Sequence, residues 1–352
     1  MVSGVAMSVC VMSLINFLTR IHFADRVLED ALPVELARGK LARVLVIADA
    51  AGKAEQARLQ TLLAAECSAY EMVMAPAGAA QGLPRGEAEA IIGFGGPRAL
   101  LAAQMSARAS RSRASLPVIA IPTTCASVGI FPPGHLGAAP GSEGGGVPTV
   151  VLCDPTLTLW AGASETISFA FEALSASIES YLSLAWNPPA DGIALDGIAR
   201  IAGHLGLAVE RSADLVPRRE LLAAALNAGL AAQKGRGAAA AIVNAVQQLG
   251  ASDASAGRLS AAILPAVLRF NAPALNRRER ALAAVLQSSA CAAEALEAFF
   301  AHHIGAARLG DLGLAREDLA AIAQQALSDP QSGSNPRLIC GADYLSILEA
   351  SF

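Results

Sequence analysis

The feature that most constrains the fold is a change of pattern at Asp154-Pro155. Before this point, short apolar runs alternate with segments whose apolar residues recur at helical spacing; after it, only alanine-rich helical segments follow. Continuous apolar runs predict parallel strands that are buried on both faces, and their alternation with helices predicts a doubly wound sheet. We therefore expect an α/β dinucleotide-binding-like domain followed by an all-α domain, with strands in RVLVIAD (43–49), YEMVMAP (70–76), EAIIGFGG (89–96), PVIAIPTT (117–124) and PTVVLCDP (148–155).

Helix breakers divide the second half of the chain. Asn187-Pro188-Pro189, Pro217 and Asn271-Ala272-Pro273 each interrupt the helical pattern. The tail after residue 328 predicts a loop and a short final helix. The other predicted helices cover roughly 164–185, 190–211, 218–233, 237–249, 256–270, 278–302 and 316–328.

The length of 352 residues suits two domains rather than one core. We place the α/β domain at 13–160 and the helical domain at 161–352, and interpret 1–12 as a disordered or misassigned start with Met12 as the initiator. The apolar N-terminus lacks the basic segment of a signal peptide and is too short to span a bilayer. We therefore expect no membrane association.

Charge and cysteine usage exclude further classes of protein. The net charge is −4, and no basic stripe is present that would neutralise a phosphate backbone, which argues against nucleic acid as a partner. The six cysteines form no C-x-x-C pair. Scattered cysteines are typical of a reduced compartment rather than of a disulfide framework or zinc site, so we expect a cytoplasmic protein.

A glycine-rich turn between a strand and a helix is the candidate phosphate site. It contains Gly95 and Gly96, followed by Pro97 and Arg98. Glycines let a phosphate approach the backbone, although a tight strand-to-helix turn needs them too. Pro97 suits the first turn of a helix but offers no N–H to a phosphate. The long Gly/Pro-rich segment 125–147 is either a functional lid or simply a mobile segment.

A set of collinear motifs resembles the iron-containing alcohol dehydrogenase superfamily and implies its dehydroquinate synthase-like fold over about residues 17–352. Within the superfamily, the opening TRIHFADRVLEDALPVELARG (19–39) and DLGLAREDL (311–319) are most similar to the maleylacetate reductase branch. The motifs are Gly95-Gly96, Pro122-Thr123-Thr124, Asp154-Pro155 with Leu157-Thr158, Ile178-Glu179-Ser180-Tyr181, Asn187-Pro188, Asp191, Gln248-Leu249-Gly250, Leu264-Pro265, Arg269-Phe270-Asn271 and Asn335-Pro336-Arg337.

The resemblance implies a metal site whose ligands this chain lacks. Metal-dependent members hold a divalent ion with one Asp and three His, and these positions read here as Glu172, Ala176, Val243 and Ala256. Alkyl side chains cannot bind a metal, so we expect none. Maleylacetate reductases are thought to work without one. The histidines at 22, 135, 204, 302 and 303 align elsewhere and read as solvated or capping residues.

The same resemblance implies a nicotinamide cofactor, NAD(H) or NADP(H). Asp49 falls where a contact to the adenosine ribose is expected, and Thr123 and Thr124 where a phosphate or ribose is contacted. Pro97 removes one phosphate donor, which Arg98 replaces in part by its charge. We therefore expect weakened binding of the cofactor at Asp49, Gly95, Gly96, Arg98, Thr123 and Thr124.

Three functions remain open from the sequence. The first is a metal-independent NAD(P)H-dependent reductase of a small carboxylated carbonyl compound. The second is a non-catalytic homologue that partners an active paralogue. The third is a cleft that performs other acid–base chemistry through Glu172, although a residue bonded within the domain junction is the competing interpretation of this glutamate. The candidate catalytic residues are Glu172, Asn244 and Gln247, and the family implies a homodimer.

Overall fold

The protein is described by a computed structural model over residues 19–49, 52–76, 83–84, 86–108, 115–126 and 147–352. The expected disordered start, 1–12, lies outside the described residues, as do His135 and most of the segment 125–147. The described part contains a parallel sheet with flanking helices and then a helical half, so the predicted fold class is confirmed.

Six parallel strands form one sheet in the order β1-β6-β5-β4-β2-β3. The strands are β1 (Arg20–Phe23), β2 (Arg43–Ala48), β3 (Ala69–Met74), β4 (Ala90–Gly95), β5 (Val118–Pro122) and β6 (Val150–Cys153). Three helices belong to this half: α1 (Val27–Gly39), α2 (Lys53–Glu66) and α3 (Pro97–Ala107). Because all strands run in one direction, their carboxyl ends lie along one edge.

Both faces of the sheet are covered, which explains the continuous apolar runs. In β2, Val44 and Val46 pack with the α1 and α2 side chains on one face. Leu45 and Ile47 pack with α3 on the other face. Ala120 and Val151, from β5 and β6, instead join the core of the helical half. The helical half therefore packs against the sheet beside α3.

The helical half contains nine helices among the described residues. They are α4 (Ala163–Leu182), α5 (Pro188–Glu210), α6 (Leu215–Ala231), α7 (Ala238–Leu249), α8 (Ala256–Leu275), α9 (Arg277–Val285), α10 (Ala292–Ile304), α11 (Leu319–Leu327) and α12 (Gly341–Ala350). Within the part of the chain that the structure covers, α5 alone is long and apolar enough to cross a bilayer. It packs against α4 and α6, as a core helix does.

Two predicted elements differ from the structure. The expected helix 278–302 is divided into α9 and α10, because Gln287 takes a left-handed conformation with φ 57°. No glycine or proline marks this break. The expected end of α8 at residue 270 is wrong, since the helix continues to Leu275. Two contacts from the C-terminal tail hold this segment, one from Arg337 Nη1 to the Phe270 carbonyl (3.0 Å) and one between Asn271 and Asn335.

Strand β1 was not predicted from the sequence. It is only four residues long, and two of its side chains, Arg20 and His22, are polar. Both bond to the buried carboxylate of Glu35 on α1, at 2.7 and 2.9 Å respectively. The strand is thus fixed by pairing with β6 and by a neighbouring helix rather than by its own apolar pattern.

Candidate functional site

The predicted cofactor residues meet at the carboxyl edge of the sheet. Strand β4 lies between β2 and β5, so the residues that follow these three strands become neighbours. The backbone N–H of Gly96 donates to Asp49 Oδ1 (2.7 Å), and that of Thr123 donates to the Gly95 carbonyl (3.0 Å). A Cβ built on Gly96 would lie 3.4 Å from Thr124 Cγ2.

Asp49 caps α3 from a neighbouring strand. Its carboxylate accepts the Gly96 N–H and, at 3.4 Å, the N–H of Ala99. Asp49 is buried. Burial raises the pKa of Asp49, whereas the two N–H bonds and the charge of Arg98 act in the opposite direction. The resemblance places Asp49 at an adenosine ribose, and in the structure its carboxylate bonds to the candidate phosphate turn.

The first turn of α3 offers few donors beyond those bonds. Pro97 occupies the first helical position and has no N–H. Arg98 is exposed at the start of the same helix. While Asp49 keeps its bonds to Gly96 and Ala99, a phosphate at this turn would contact the side chain and the backbone of Arg98.

The second turn carries two buried threonines. Thr124 Oγ1 accepts the N–H of Ala126 at 3.4 Å. Thr123 Oγ1 is fully buried and finds no hydrogen-bond partner among the described residues. A buried hydroxyl without a partner costs about 1–3 kcal/mol. The Thr123 hydroxyl is therefore a candidate contact for a bound ligand.

Trp160 closes this end of the site and was missed in the sequence. Its indole Nε1 donates to the Thr123 carbonyl (2.8 Å), and its ring meets Phe169 of α4 edge-on at 6.4 Å. A Cβ built on Gly52 would lie 2.9 Å from Trp160 Cβ. Trp160 thus joins loops that follow β2 and β5 to the first turns of α4. The only signal in the sequence was a rare tryptophan just after Asp154-Pro155.

Glu172 lies half-buried on α4, on the same face as Ser168 and Phe169. The start of α8 approaches this face closely. Ser168 Oγ donates to Ser255 Oγ (2.6 Å), and a Cβ on Gly257 would lie 1.9 Å from the Ser168 carbonyl oxygen. Glu172 is therefore one turn beyond the contact between α4 and α8.

The residues at the positions that the resemblance gives as metal ligands do not fit a divalent metal. Ala176 and Val243 are buried in the core of the helical half, and Ala256 begins α8. Within the described ranges, no group of three or more His, Cys, Asp or Glu residues could hold a metal. The histidines that the structure describes bond or pack elsewhere: His22 with Glu35, His204 with the Arg200 carbonyl, and His302 and His303 with aromatic rings on α10 and α4.

Two of the predicted catalytic residues, Asn244 and Gln247, lie on α7. Asn244 Nδ2 donates to Asp329 Oδ2 (3.0 Å), beside the 3₁₀ turn that follows α11. Gln247 is exposed near the end of the helix. Asn244 is therefore bonded to a neighbouring element, and Gln247 faces solvent.

Several residues of the motifs that resemble the family make contacts between helices. Glu179 is buried and accepts the N–H groups of Ala239 (2.8 Å) and Ala240 (3.1 Å), which caps α7, and its carboxylate lies 3.4 Å from Arg236. Burial raises the pKa of Glu179, and Arg236 opposes this.

The amides of Asn271 and Asn335 bond to each other in both directions, at 3.0 and 2.9 Å. Asp191 pairs with the buried Lys234 and with Arg278. These motif residues join helices and therefore stabilise the fold.

Comparison with known proteins gives three findings. Residues 166–352 match the Fe-containing alcohol dehydrogenase family, C-terminal domain. The 4-hydroxybutyrate dehydrogenase of Cupriavidus necator is 33% identical over 216 residues, which cover 58% of this chain and 56% of that protein. The NAD-dependent methanol dehydrogenase of Bacillus methanolicus is 28% identical over 214 residues, covering 57% and 55%. The chain thus spans about half the length of the curated relatives it matches.

Solved structures share the fold over nearly the whole chain. The maleylacetate reductase from Rhizobium sp. strain MTP-10005 superposes with a TM-score of 0.78 at 21% identity, covering 96% of this chain and 97% of that one. At this identity the similarity establishes architecture alone.

Proposed function

The chain belongs to the iron-containing alcohol dehydrogenase family, and we propose that it is an NAD(P)H-dependent reductase of a small carboxylated carbonyl compound that needs no metal. The family assignment supports the oxidoreductase class. The cofactor, the substrate class and independence from metal are the parts that this proposal adds.

The observation that carries the proposal is the convergence of two turns and an acidic residue at the carboxyl edge of the sheet. Gly95-Gly96, Thr123-Thr124 and Asp49 come from three adjacent strands and contact one another. Nucleotides bind at this edge of doubly wound sheets. The Thr123 hydroxyl, which has no hydrogen-bond partner among the described residues, supports a ligand at this edge, and the NAD-dependent relative supports a dinucleotide as that ligand.

The metal part of the proposal rests on donor chemistry. Three of the four family ligand positions are Ala176, Val243 and Ala256, and two of these are buried among other apolar side chains. One glutamate, Glu172, cannot hold a divalent ion that requires about four ligands. The proposed reaction therefore does not use a metal ion to activate the substrate.

When bound, a reduced nicotinamide supplies a hydride to a carbonyl carbon or, in an enone such as maleylacetate, to the conjugated alkene carbon. The carbonyl oxygen then requires a proton, and we assign Glu172 to hold it. Glu172 lies on the face of α4 that bears Phe169, whose ring contacts Trp160 beside the second turn. The two half-buried rings form the wall between this turn and α4.

The substrate class is inferred from the relative in Cupriavidus necator, which is 33% identical over 216 residues. Its name, 4-hydroxybutyrate dehydrogenase, describes an alcohol that carries a carboxylate. We expect a short-chain oxo acid rather than a simple aldehyde.

The test is turnover by protein treated with a chelator. Oxidation of NADH or NADPH would be followed with 4-oxobutanoate, with maleylacetate and with butanal as the uncharged control. The proposal predicts turnover of at least one oxo acid in the presence of chelator, with slower turnover of butanal. Absence of turnover with both oxo acids, or turnover only after zinc or iron is added, would contradict it.

A second candidate is a non-catalytic homologue that assembles with an active paralogue. Its support is that Asn244 is bonded to Asp329 and that alkyl groups replace the family ligands. Purification from the native host distinguishes the two. A homogeneous, active homodimer supports the reductase, whereas stoichiometric recovery of an inactive chain with a second family member supports the partner role.

A further inference from the structure

We propose that Arg218 is a positioning residue that holds Trp160 against the turn after β5 and so keeps the ligand contact of that turn in place. Arg218 lies in the first turns of α6 and is fully buried. The inference rests on the proposed function, since it concerns the wall of the proposed cofactor site. It adds a residue outside that site on which ligand binding depends.

The Arg218 guanidinium bonds to the chain directly after Trp160. Its Nη2 donates to the Ala161 carbonyl (2.8 Å), and its Nη1 donates to Thr166 Oγ1 (2.8 Å). Its Nε donates to the Ser212 carbonyl (3.1 Å), in the loop that precedes α6. The peptide after Trp160 and the first turn of α4 are therefore fixed to α6 by one side chain.

Trp160 connects this end of α4 to the turn after β5. Its indole Nε1 donates to the Thr123 carbonyl at 2.8 Å, and its ring packs edge-on against Phe169. Thr123 carries the buried hydroxyl that finds no hydrogen-bond partner within the described ranges. A shift of Ala161 would move the indole and remove the bond that orients the Thr123 peptide. Arg218 thus acts on the candidate ligand contact through Ala161 and Trp160.

The effect of Arg218 on Cys125 places the guanidinium beside the same turn. Cys125 directly follows Thr124 and is buried. Burial raises the pKa of the Cys125 thiol to about 11, and the charge of Arg218 opposes this rise. The guanidinium therefore lies behind the turn after β5 as well as behind Trp160.

The charge of Arg218 is costly for a residue that only fills space in the core. In the part of the chain that the structure describes, no carboxylate pairs with Arg218, and burial lowers the pKa of its guanidinium. A buried charge loses hydration that an apolar side chain never had. A guanidinium, however, presents its donors in a rigid planar fork and reaches oxygen atoms of separate segments at once. This chemistry favours a role in holding the junction.

The first readout needs no ligand. Trp186→Phe leaves Trp160 as the only tryptophan, and Arg218→Lys keeps the charge but not the fork. In this background, we expect Arg218→Lys to move the Trp160 emission to longer wavelength, because an indole released from Thr123 meets more water. Lys234→Met is the matched control, since Lys234 is also a buried cation but lies beyond the other end of α6. It should leave the emission unchanged.

The second readout is a double-mutant cycle on NADH binding, measured by calorimetric titration. The proteins are wild type, Arg218→Lys, Trp160→Phe and the variant with both changes. Phenylalanine keeps an aromatic ring but cannot donate to the Thr123 carbonyl. If Arg218 acts through the indole, Arg218→Lys weakens NADH binding by about tenfold in wild type and by much less in Trp160→Phe. A role confined to the stability of the fold gives the same factor in both backgrounds.

The outcomes separate this inference from the proposed function. Unchanged Trp160 emission in Arg218→Lys, or an equal factor in both backgrounds, overturns the positioning role and leaves the reductase. Shifted emission without NADH binding by wild type supports the hold of Arg218 on Trp160 and contradicts the proposed function. Thr166→Val, which removes one acceptor of the guanidinium, serves if Arg218→Lys fails to fold. A smaller shift in the same direction is then expected, and no shift overturns the proposal.

Discussion

The indole Nε1 of Trp160 donates a hydrogen bond to the Thr123 carbonyl at 2.8 Å, and this contact joins the turn after β5 to the start of the helical half. The same ring packs edge-on against Phe169 of α4. A ligand that reaches Thr123 must therefore approach Trp160.

Trp160 should report ligand binding by its fluorescence. The chain has two tryptophans, of which Trp186 is 68% exposed and Trp160 is half-buried. We expect NADH to quench the Trp160 emission by energy transfer, with the effect retained in Trp186→Phe and lost in Trp160→Phe. Quenching that disappears instead in the Trp186→Phe variant would place the ligand elsewhere.

Replacement of Glu172 by Gln should slow turnover. If Glu172 supplies the proton to the carbonyl oxygen, its loss lowers kcat by about a hundredfold or more, with little change in KM. Glu165→Gln, which alters an exposed residue in the first turn of the same helix, should leave kcat unchanged. Steady-state kinetics of both variants give the answer, and full activity of Glu172→Gln removes Glu172 from the mechanism.

Replacement of Glu179 by Ala should destabilise the helical half. The variant leaves the N–H groups of Ala239 and Ala240 without their acceptor and removes the partner of Arg236. We expect the free energy of unfolding to fall by about 2 kcal/mol or more. Urea denaturation measures this, and Glu66→Ala, at an exposed position on α2, should change it by less than about 0.5 kcal/mol. Equal effects of the two variants would argue against the cap.

The contact between β1 and α1 should make stability depend on pH. The bond from Arg20 holds the pKa of Glu35 below its usual value, despite burial. A lowered folded-state pKa means that stability is present above the unfolded pKa and is lost as pH falls through the folded one. Glu35→Gln should therefore be less stable than wild type near neutral pH, and the two should converge in acid. A difference that stays constant with pH would contradict this account.

Much of the α/β half is predictable from sequence because its strands are buried on both faces. The runs around Val44, Ile91, Ile119 and Val151 are continuously apolar and become β2, β4, β5 and β6. Strand β1 lacks that signal, since its residues are held by Glu35 and by β6. The break at Gln287 lacks one too, because a residue other than glycine adopts positive φ there.

The site is less predictable, since its decisive contacts join distant segments. Parallel strand order brings Asp49 to Gly96, and no local pattern around either residue reveals that they bond. The direction of Asn244 depends on Asp329, which is 85 residues away. Residue types therefore predict which groups are available for chemistry, and only the fold determines which of them are already bonded.

The measurement that tests the central claim most directly is a calorimetric titration of chelator-treated protein with NADH and with NADPH. The account predicts saturable binding of at least one of them, with no metal added and with the affinity unchanged when zinc or iron is restored. Absence of binding to both at millimolar concentration, or binding that appears only with metal, would contradict it.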